Sequence, residues 1–267
     1  MPLVDLSHPA DGITMITLNR PDRLNTLNSE LVTEFSEVLS EVALDRRCRV
    51  VILTGAGRGF CAGLDLGGYG DDERVADEGR IRTALTRQRE IAHLAEALHR
   101  LPQPVIAAVN GPAAGGGLAL VCASDIRIAA HEAAFAVSFI RAGFSACDMG
   151  VSWLLPRIVG AGRAHELMLT GRRFSSAEAR EYGLVTDVVP QEELMNTALA
   201  EAAEIMLNAP LGVELTKQGM WIALETPSFA AAVEFENRQQ ILTGMTEDSA
   251  ESRAAFLGKR KPSFRDR

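Results

Sequence analysis

The chain has 267 residues, of which 47% are hydrophobic and 23% charged, and its net charge is −8. That length suits one large domain with a sizeable core, or a domain with an appendage, and the acidic balance argues against a nucleic-acid or anionic-membrane surface as the main partner. The four cysteines form no CxxC pair and no cluster with histidine, and no basic segment followed by an apolar run opens the chain, so the expectation is a cytoplasmic protein with reduced thiols, no zinc site and no signal peptide.

In chain order, Ile13 to Leu18 alternates with period two and reads as a strand. Asn28 or Ser29 then caps a helix whose apolar positions Leu31, Val32, Phe35, Val38, Leu39 and Val42 fall at helical spacing. Val50 to Thr54 is a short apolar run that reads as a buried strand, and a glycine-rich loop from Gly55 to Gly70 follows it. Asp71 to Arg100 is charged and helical; His93 and His99 on it are read as surface residues. Pro104 to Val109 is a second buried strand, leading through Gly111 to Gly117 into a small apolar helix from Leu118 to Ala123. The apolar stretch here is far too short to span a bilayer. Asp125 to Ala130, Ala134 to Val137 and Val185 to Val189 read as further strands, and Ser175 with Glu178 forms an S-x-x-E capping box. From Gln191 onward the pattern is helical. Strand–helix repeats followed by helices predict an α/β core over residues 1–200 with a C-terminal helical subdomain over residues 201–267.

Two glycine-rich stretches each follow a buried strand. The first, Gly55-Ala56-Gly57-Arg58-Gly59-Phe60, places Phe60 where a dinucleotide fingerprint needs its last glycine, and no helix opens straight after it. The second, Gly115 to Gly117, stands at the start of a helix. There free N–H groups and the positive end of the helix dipole can meet a developing oxyanion, and glycines let a ligand approach the backbone. Each stretch alone reads equally as a tight turn or close helix packing.

Together, and in order, they resemble the crotonase (enoyl-CoA hydratase/isomerase) superfamily. The resemblance covers nearly the whole chain. It rests on Leu18-Asn19-Arg20-Pro21-Asp22-Arg23-Leu24-Asn25, on Gly59-Phe60-Cys61-Ala62-Gly63-Leu64-Asp65-Leu66, and on Ala107-Ala108-Val109-Asn110-Gly111 through Gly117. Leu169-Thr170-Gly171-Arg172, Ala177-Glu178-Ala179, Gly183-Leu184-Val185, and Phe256 with Lys259-Arg260-Lys261 extend it. The resemblance implies a spiral of ββα units, a helical C-terminal subdomain for oligomerisation, a homotrimer or dimer of trimers, and an acyl-coenzyme A thioester substrate. It implies no cofactor beyond the coenzyme A of the substrate. It also implies an oxyanion hole from the N–H groups of Leu64 and Gly116, each donor worth about 2.7–4 kcal/mol to an enolate. Arg23, Ala62 and Leu64 would lie at the coenzyme A nucleotide end, and Lys259 would approach its phosphates.

The chain departs from the family's hydratases at both glutamates, which are replaced by Ala119 and Phe139. Neither side chain transfers protons or positions water. Asp148 stands at the spacing that several isomerase-type subfamilies use for a catalytic aspartate, and aryl-CoA dehalogenases use that position as a nucleophile. The expectation is therefore isomerisation with Asp148 as proton shuttle. The alternatives are a non-catalytic acyl-CoA-binding protein and, ranked last, dehalogenase-like attack. Asp148 also suits a helix N-cap. If buried among Cys147, Met149 and Trp153, its carboxyl would gain proton affinity by desolvation. Phe139, Phe144 and Trp153 are candidates for the wall of the acyl pocket, Tyr69, Asp71, Asp72 and Glu73 are weaker candidates to reach it, and Asp65 is expected to fix its loop by hydrogen bonds.

Overall fold

Strand β1 (Val4–Ala10) and strand β2 (Ile13–Leu18) form an antiparallel hairpin at one edge of a six-stranded sheet. The structure, a computed structural model, describes residues 2–267. Helix α1 (Ser29–Leu44) carries the chain back to β3 (Val50–Gly55), which pairs in parallel with β2 from Ile13↔Val50 to Leu18↔Gly55. Asn28 is the α1 N-cap, its side chain accepting from the Leu31 N–H, and the buried stripe is the six apolar positions named above.

Helices α2 (Asp72–Glu78) and α3 (Arg80–Arg100) cross to β4 (Val105–Val109), parallel to β3. The charged run is thus two helices, broken at Gly79. A short β5 (Ala113–Ala114) and helix α4 (Gly116–Ala123) follow, then β6 (Ile126–Ala130), β7 (Ala134–Ala136), α5 (Val151–Val159) and α6 (Ala161–Thr170). Strand β8 (Arg173–Ser175), α7 (Ser176–Glu181) and β9 (Asp187–Val189) complete the strands. The capping box forms as expected: Ser175 Oγ accepts from the Glu178 N–H at 3.2 Å, and Glu178 accepts from the Ser175 N–H at 2.9 Å.

The large sheet runs β1-β2-β3-β4-β6-β9, and β5-β7-β8 form a second, three-stranded sheet. Successive passes of the chain lay β4 and β6 in the first sheet and β5 and β7 in the second, so ββα units wind as a spiral. Both faces of the large sheet are covered, which is why β3 and β4 are apolar without alternation. Val51 and Leu53 face the cluster with α1, α3 and α4, while Val50 and Ile52 face Leu194, Ala198 and Ala202 of α8 (Leu194–Met206). Residues 200 and 201 both lie inside α8. Helices α9 (Pro210–Glu225), α10 (Phe229–Gly244) and α11 (Glu247–Leu257) end the chain.

Three expectations are corrected. Helix α4 begins at Gly116 rather than Leu118, because backbone freed at Gly115 (φ 52°) lets the turn close two residues early. The strand expected from Val185 begins at Asp187. His99 is not a surface residue: it is half-buried, with its ring edge against Trp221 at 4.1 Å and Trp153 at 6.2 Å. Among the described residues no helix is long and apolar enough to cross a membrane.

Candidate active site

The site is built where the loop after β3 meets the start of α4. Two buried asparagines hold that loop. Asn25 Nδ2 donates to the carbonyls of Ala56, Gly59 and Phe60 at 3.0, 2.8 and 3.2 Å. Asn110 Nδ2 donates to those of Gly55, Gly57 and Gly59 at 2.8, 2.9 and 3.3 Å. A glycine-rich turn exposes many carbonyls to the protein interior, and each needs a donor. Beyond the turn, the segment runs between two partners. Cys61 N–H donates to the Pro112 carbonyl and Ala114 N–H to the Cys61 carbonyl, while Leu27 N–H donates to Gly63 and Asp65 N–H to Leu27. Leu64's own N–H serves neither ladder.

Gly63 and Gly117 make the approach possible. Gly63 has φ +97°, and a Cβ there would lie 2.9 Å from the Ala114 carbonyl oxygen and 3.5 Å from the Gly116 nitrogen. A Cβ at Gly117 would fall 1.9 Å from the Cys61 oxygen. Only glycine admits this contact. In α4 the first backbone bond from within the helix runs from Ala119 N–H to Gly115, so the Gly116 amide has no intrahelical acceptor. Among the described residues neither the Leu64 nor the Gly116 N–H has a protein acceptor, and both residues line one cavity of about 300 Å³.

The same cavity is lined by Leu27, Ala62, Gly63, Gln88, Ile91, Ser138, Phe139, Arg141, Phe144, Asp148 and Met149, among others. Asp148 sits just before α5, whose N-cap is Gly150, so the carboxylate does not cap the helix. Its Oδ1 instead accepts from the Met149 N–H at 2.7 Å and from Gln88 Nε2 at 2.5 Å. The burial expected around it is not realised: Asp148 is half-exposed and Cys147 is exposed, on the turn before α5 in which Met149 and Gly150 take positive φ. Phe139 and Phe144 wall the cavity as expected. Trp153 does not; it packs against His99 and Trp221 and lies under the Arg157 guanidinium at 3.7 Å. Ala119 is fully buried in α4, away from the cavity.

Of the residues expected at the coenzyme A end, Ala62 and Leu64 line the cavity. Arg23 is exposed in a 3-10 turn (Pro21–Arg23), and Lys259 is exposed just past α11; neither lines the cavity. Asp65 does fix its loop: Oδ2 accepts from Arg20 at 3.0 Å and Oδ1 from the Gly67 N–H at 3.0 Å. Burial raises the Asp65 carboxyl, but Arg20 and the Gly67 N–H outweigh it and hold it below the usual carboxylate range. Tyr69 and Asp71 are buried outside the cavity, with Arg87 paired to Asp71 and stacked over the Tyr69 ring. Burial, with Glu90 and Asp71 nearby, pushes the Tyr69 hydroxyl up to about 12. Asp72 and Glu73 open α2 as the solvated first turn of a helix.

Gln88 and the loop-holding roles of Asn25 and Asn110 are visible only in the folded chain. A polar residue three positions before the apolar Ile91 on a charged helix carries no local signal. Asn25 and Asn110 already stood within the quoted motifs.

A larger groove, of about 790 Å³, lies beside α9. Its Lys217 ammonium is engaged by Asp125 Oδ2 at 2.8 Å and the Gln103 carbonyl at 3.0 Å. The smaller cavity is lined by the residues of two free amides, by the Asp148 carboxylate and by apolar side chains, and is the candidate for chemistry. Among the described residues no three His, Cys, Asp or Glu side chains gather as a metal site would.

The spiral α/β fold brings two free amides and an acidic residue to one cavity. Comparison with known proteins defines the family. The family model for enoyl-CoA hydratase/isomerase matches residues 9–267. The chain is 42% identical over 265 residues to the probable enoyl-CoA hydratase EchA12 of Mycobacterium tuberculosis, covering 99% of this chain and 93% of the relative. It is 40% identical over 260 residues to the 1,2-epoxyphenylacetyl-CoA isomerase of Escherichia coli, covering 97% of each. A crystal structure of a probable enoyl-CoA hydratase/isomerase from Mycobacterium abscessus superposes with a TM-score of 0.92 at 35% identity, covering 99% of both chains. The chain belongs to the enoyl-CoA hydratase/isomerase family, within the crotonase superfamily. Members of this family act on acyl-CoA thioesters.

Proposed function

We propose that this chain isomerises an enoyl-CoA through a thioester enolate, with the Leu64 and Gly116 amides as oxyanion hole and Asp148 as proton shuttle. The observation that carries the reading is that both free amides and the Asp148 carboxylate line one cavity. Asp148 takes a proton from one carbon of the acyl chain, and the electron pair moves to the thioester oxygen, where the two N–H groups stabilise it. The same carboxyl then returns the proton to another carbon of the conjugated system. The double bond moves, and no proton is gained or lost overall. This step draws on no metal, nicotinamide or flavin.

Isomerisation is favoured over hydration because Ala119 and Phe139 supply no group to activate water. The 1,2-epoxyphenylacetyl-CoA isomerase among the relatives supports that preference. Coenzyme A enters as part of the substrate, with Arg23, Ala62 and Leu64 at its nucleotide end. Lys259, from a neighbouring subunit, approaches its phosphates in this reading. A homotrimer or dimer of trimers is part of the proposal, supported by the apolar side chains Met220, Leu224, Phe229, Ile241 and Met245 exposed on α9 and α10 and just beyond. A reducing, cytoplasmic setting accords with four free thiols.

The test is product analysis on a panel of enoyl, dienoyl, aryl and hydroxyacyl thioesters, in heavy water, with wild type and Asp148→Asn. The expected result is a shifted double bond with deuterium incorporated by wild type, and a loss of about 100-fold or more in Asp148→Asn. Equal exchange by the variant removes Asp148 from the reaction. Tight binding without turnover of any thioester would establish the non-catalytic alternative.

A further inference from the structure

We infer that Gln88 is a positioning residue: it fixes one oxygen of Asp148 and so assigns the other as the oxygen that carries the proton. The inference rests on the proposed role of Asp148.

Gln88 and Asp148 lie 60 residues apart on different elements, α3 and the turn before α5, yet Gln88 Nε2 meets Asp148 Oδ1 at 2.5 Å. The same oxygen accepts from the Met149 N–H at 2.7 Å. Among the described residues Oδ2 has no protein donor. The two oxygens of a free carboxylate are equivalent and exchange by rotation. Here rotation would break both bonds to Oδ1, so the pair is distinguished. Two N–H donors occupy lone pairs on Oδ1, and the proton taken from substrate goes to Oδ2.

The choice of amide matters chemically. An amide N–H neither takes up nor gives up a proton near neutral pH, so it orients the carboxylate without competing for the transferred proton. A lysine or arginine there would bring a formal charge and hold the carboxylate as an ion pair. Local geometry explains why a second element is needed. Positive φ at Met149 (46°) and Gly150 (78°) leaves Asp148 on an exposed turn rather than packed in the core, so burial does not fix its rotamer. Gln88 shares a face of α3 with Ile91, three residues on, which also lines the cavity. Helix α3 therefore presents one apolar and one hydrogen-bonding side chain to the same space.

The experiment measures deuterium exchange and double-bond migration with a trans-3-enoyl-CoA, comparing wild type, Gln88→Met, Gln88→Ala, Gln88→His, Asp148→Asn and Gln88→Met/Asp148→Asn. Methionine keeps the length of the side chain without the donor. At pH 8 an ordinary histidine is neutral but retains an N–H. The expected result is a kcat about 10- to 100-fold lower in Gln88→Met and Gln88→Ala, as misplacement of a reacting group predicts, with KM within about twofold. Gln88→His recovers most of the loss, and Gln88→Met adds nothing in the Asp148→Asn background. Wild-type kcat in Gln88→Met and Gln88→Ala overturns the inference, and so does an equal further loss in the double variant. If Asp148→Asn alone exchanges as fast as wild type, the parent reading falls instead, whatever the Gln88 variants do.

Discussion

Arg20 Nη2 donates to Asp65 Oδ2 at 3.0 Å, one residue beyond the Leu64 amide, and both side chains are largely buried. The pair ties the chain before α1 to the loop that carries the proposed oxyanion donor. Asp65→Asn should cost about 1.5–3 kcal/mol in urea denaturation, the usual range for a hydrogen bond to a charged group. Since the Asp65 carboxyl is held below its ordinary value, its contribution is complete above that value and lost as pH falls through the lowered one. The decline of wild-type stability below about pH 4 should therefore flatten in Asp65→Asn. An identical decline in both proteins would remove Asp65 from the loop's energetics.

Gly63→Ala places a methyl group 2.9 Å from the Ala114 oxygen at a residue with φ +97°. Strain of about 1–3 kcal/mol is expected from the backbone alone. The loop and α4 must part to admit the methyl, so kcat should fall by about 100-fold or more, as for loss of one oxyanion donor. Steady-state kinetics beside a thermal melt separate the two effects: a folded protein with unchanged kcat would mean that the Leu64 and Gly116 amides need not sit this close.

Much of the molecule is legible in its sequence. The α1 stripe, its Asn28 cap, the Ser175–Glu178 box and the all-apolar β3 and β4 each follow from local spacing. The two glycine stretches pointed to the site, because a conformation that only glycine adopts leaves its mark in composition. What could not be read was set by contacts distant in sequence. Gln88 meets Asp148 across 60 residues. His99 lies on a charged helix, yet α5 and α9 bring Trp153 and Trp221 against it. Asp148 carries the residue type of an N-cap, but positive φ at Met149 and Gly150 moves the cap two residues on.

Asn25→Ala and Asn110→Ala each remove a donor shared among three loop carbonyls, with the Gly59 carbonyl common to both. Each orphaned buried carbonyl costs about 1–3 kcal/mol. Both variants should therefore lower the denaturant midpoint at an unchanged m-value. A midpoint equal to wild type in both would show that the turn is held elsewhere.

Lys217 is buried in α9, with Asp125 as its ion-pair partner at 2.8 Å. Burial pushes its ammonium down against the pull of Asp125, and the pair ties α9 to the start of β6, away from the lining of the smaller cavity. Lys217→Met leaves Asp125 unpaired and should cost about 3–5 kcal/mol. Calorimetry should show the lower melting temperature, and the kcat of protein kept below that temperature should be unchanged.

In the proposed reaction the N–H groups of Leu64 and Gly116 polarise a thioester carbonyl. Isotope-edited infrared spectroscopy of a carbonyl-13C enoyl-CoA bound to the protein measures this directly. The expected result is a carbonyl stretch at lower wavenumber than in free solution, with the shift reduced in Gly63→Ala. A bound thioester whose carbonyl stretch matches that in water would contradict it.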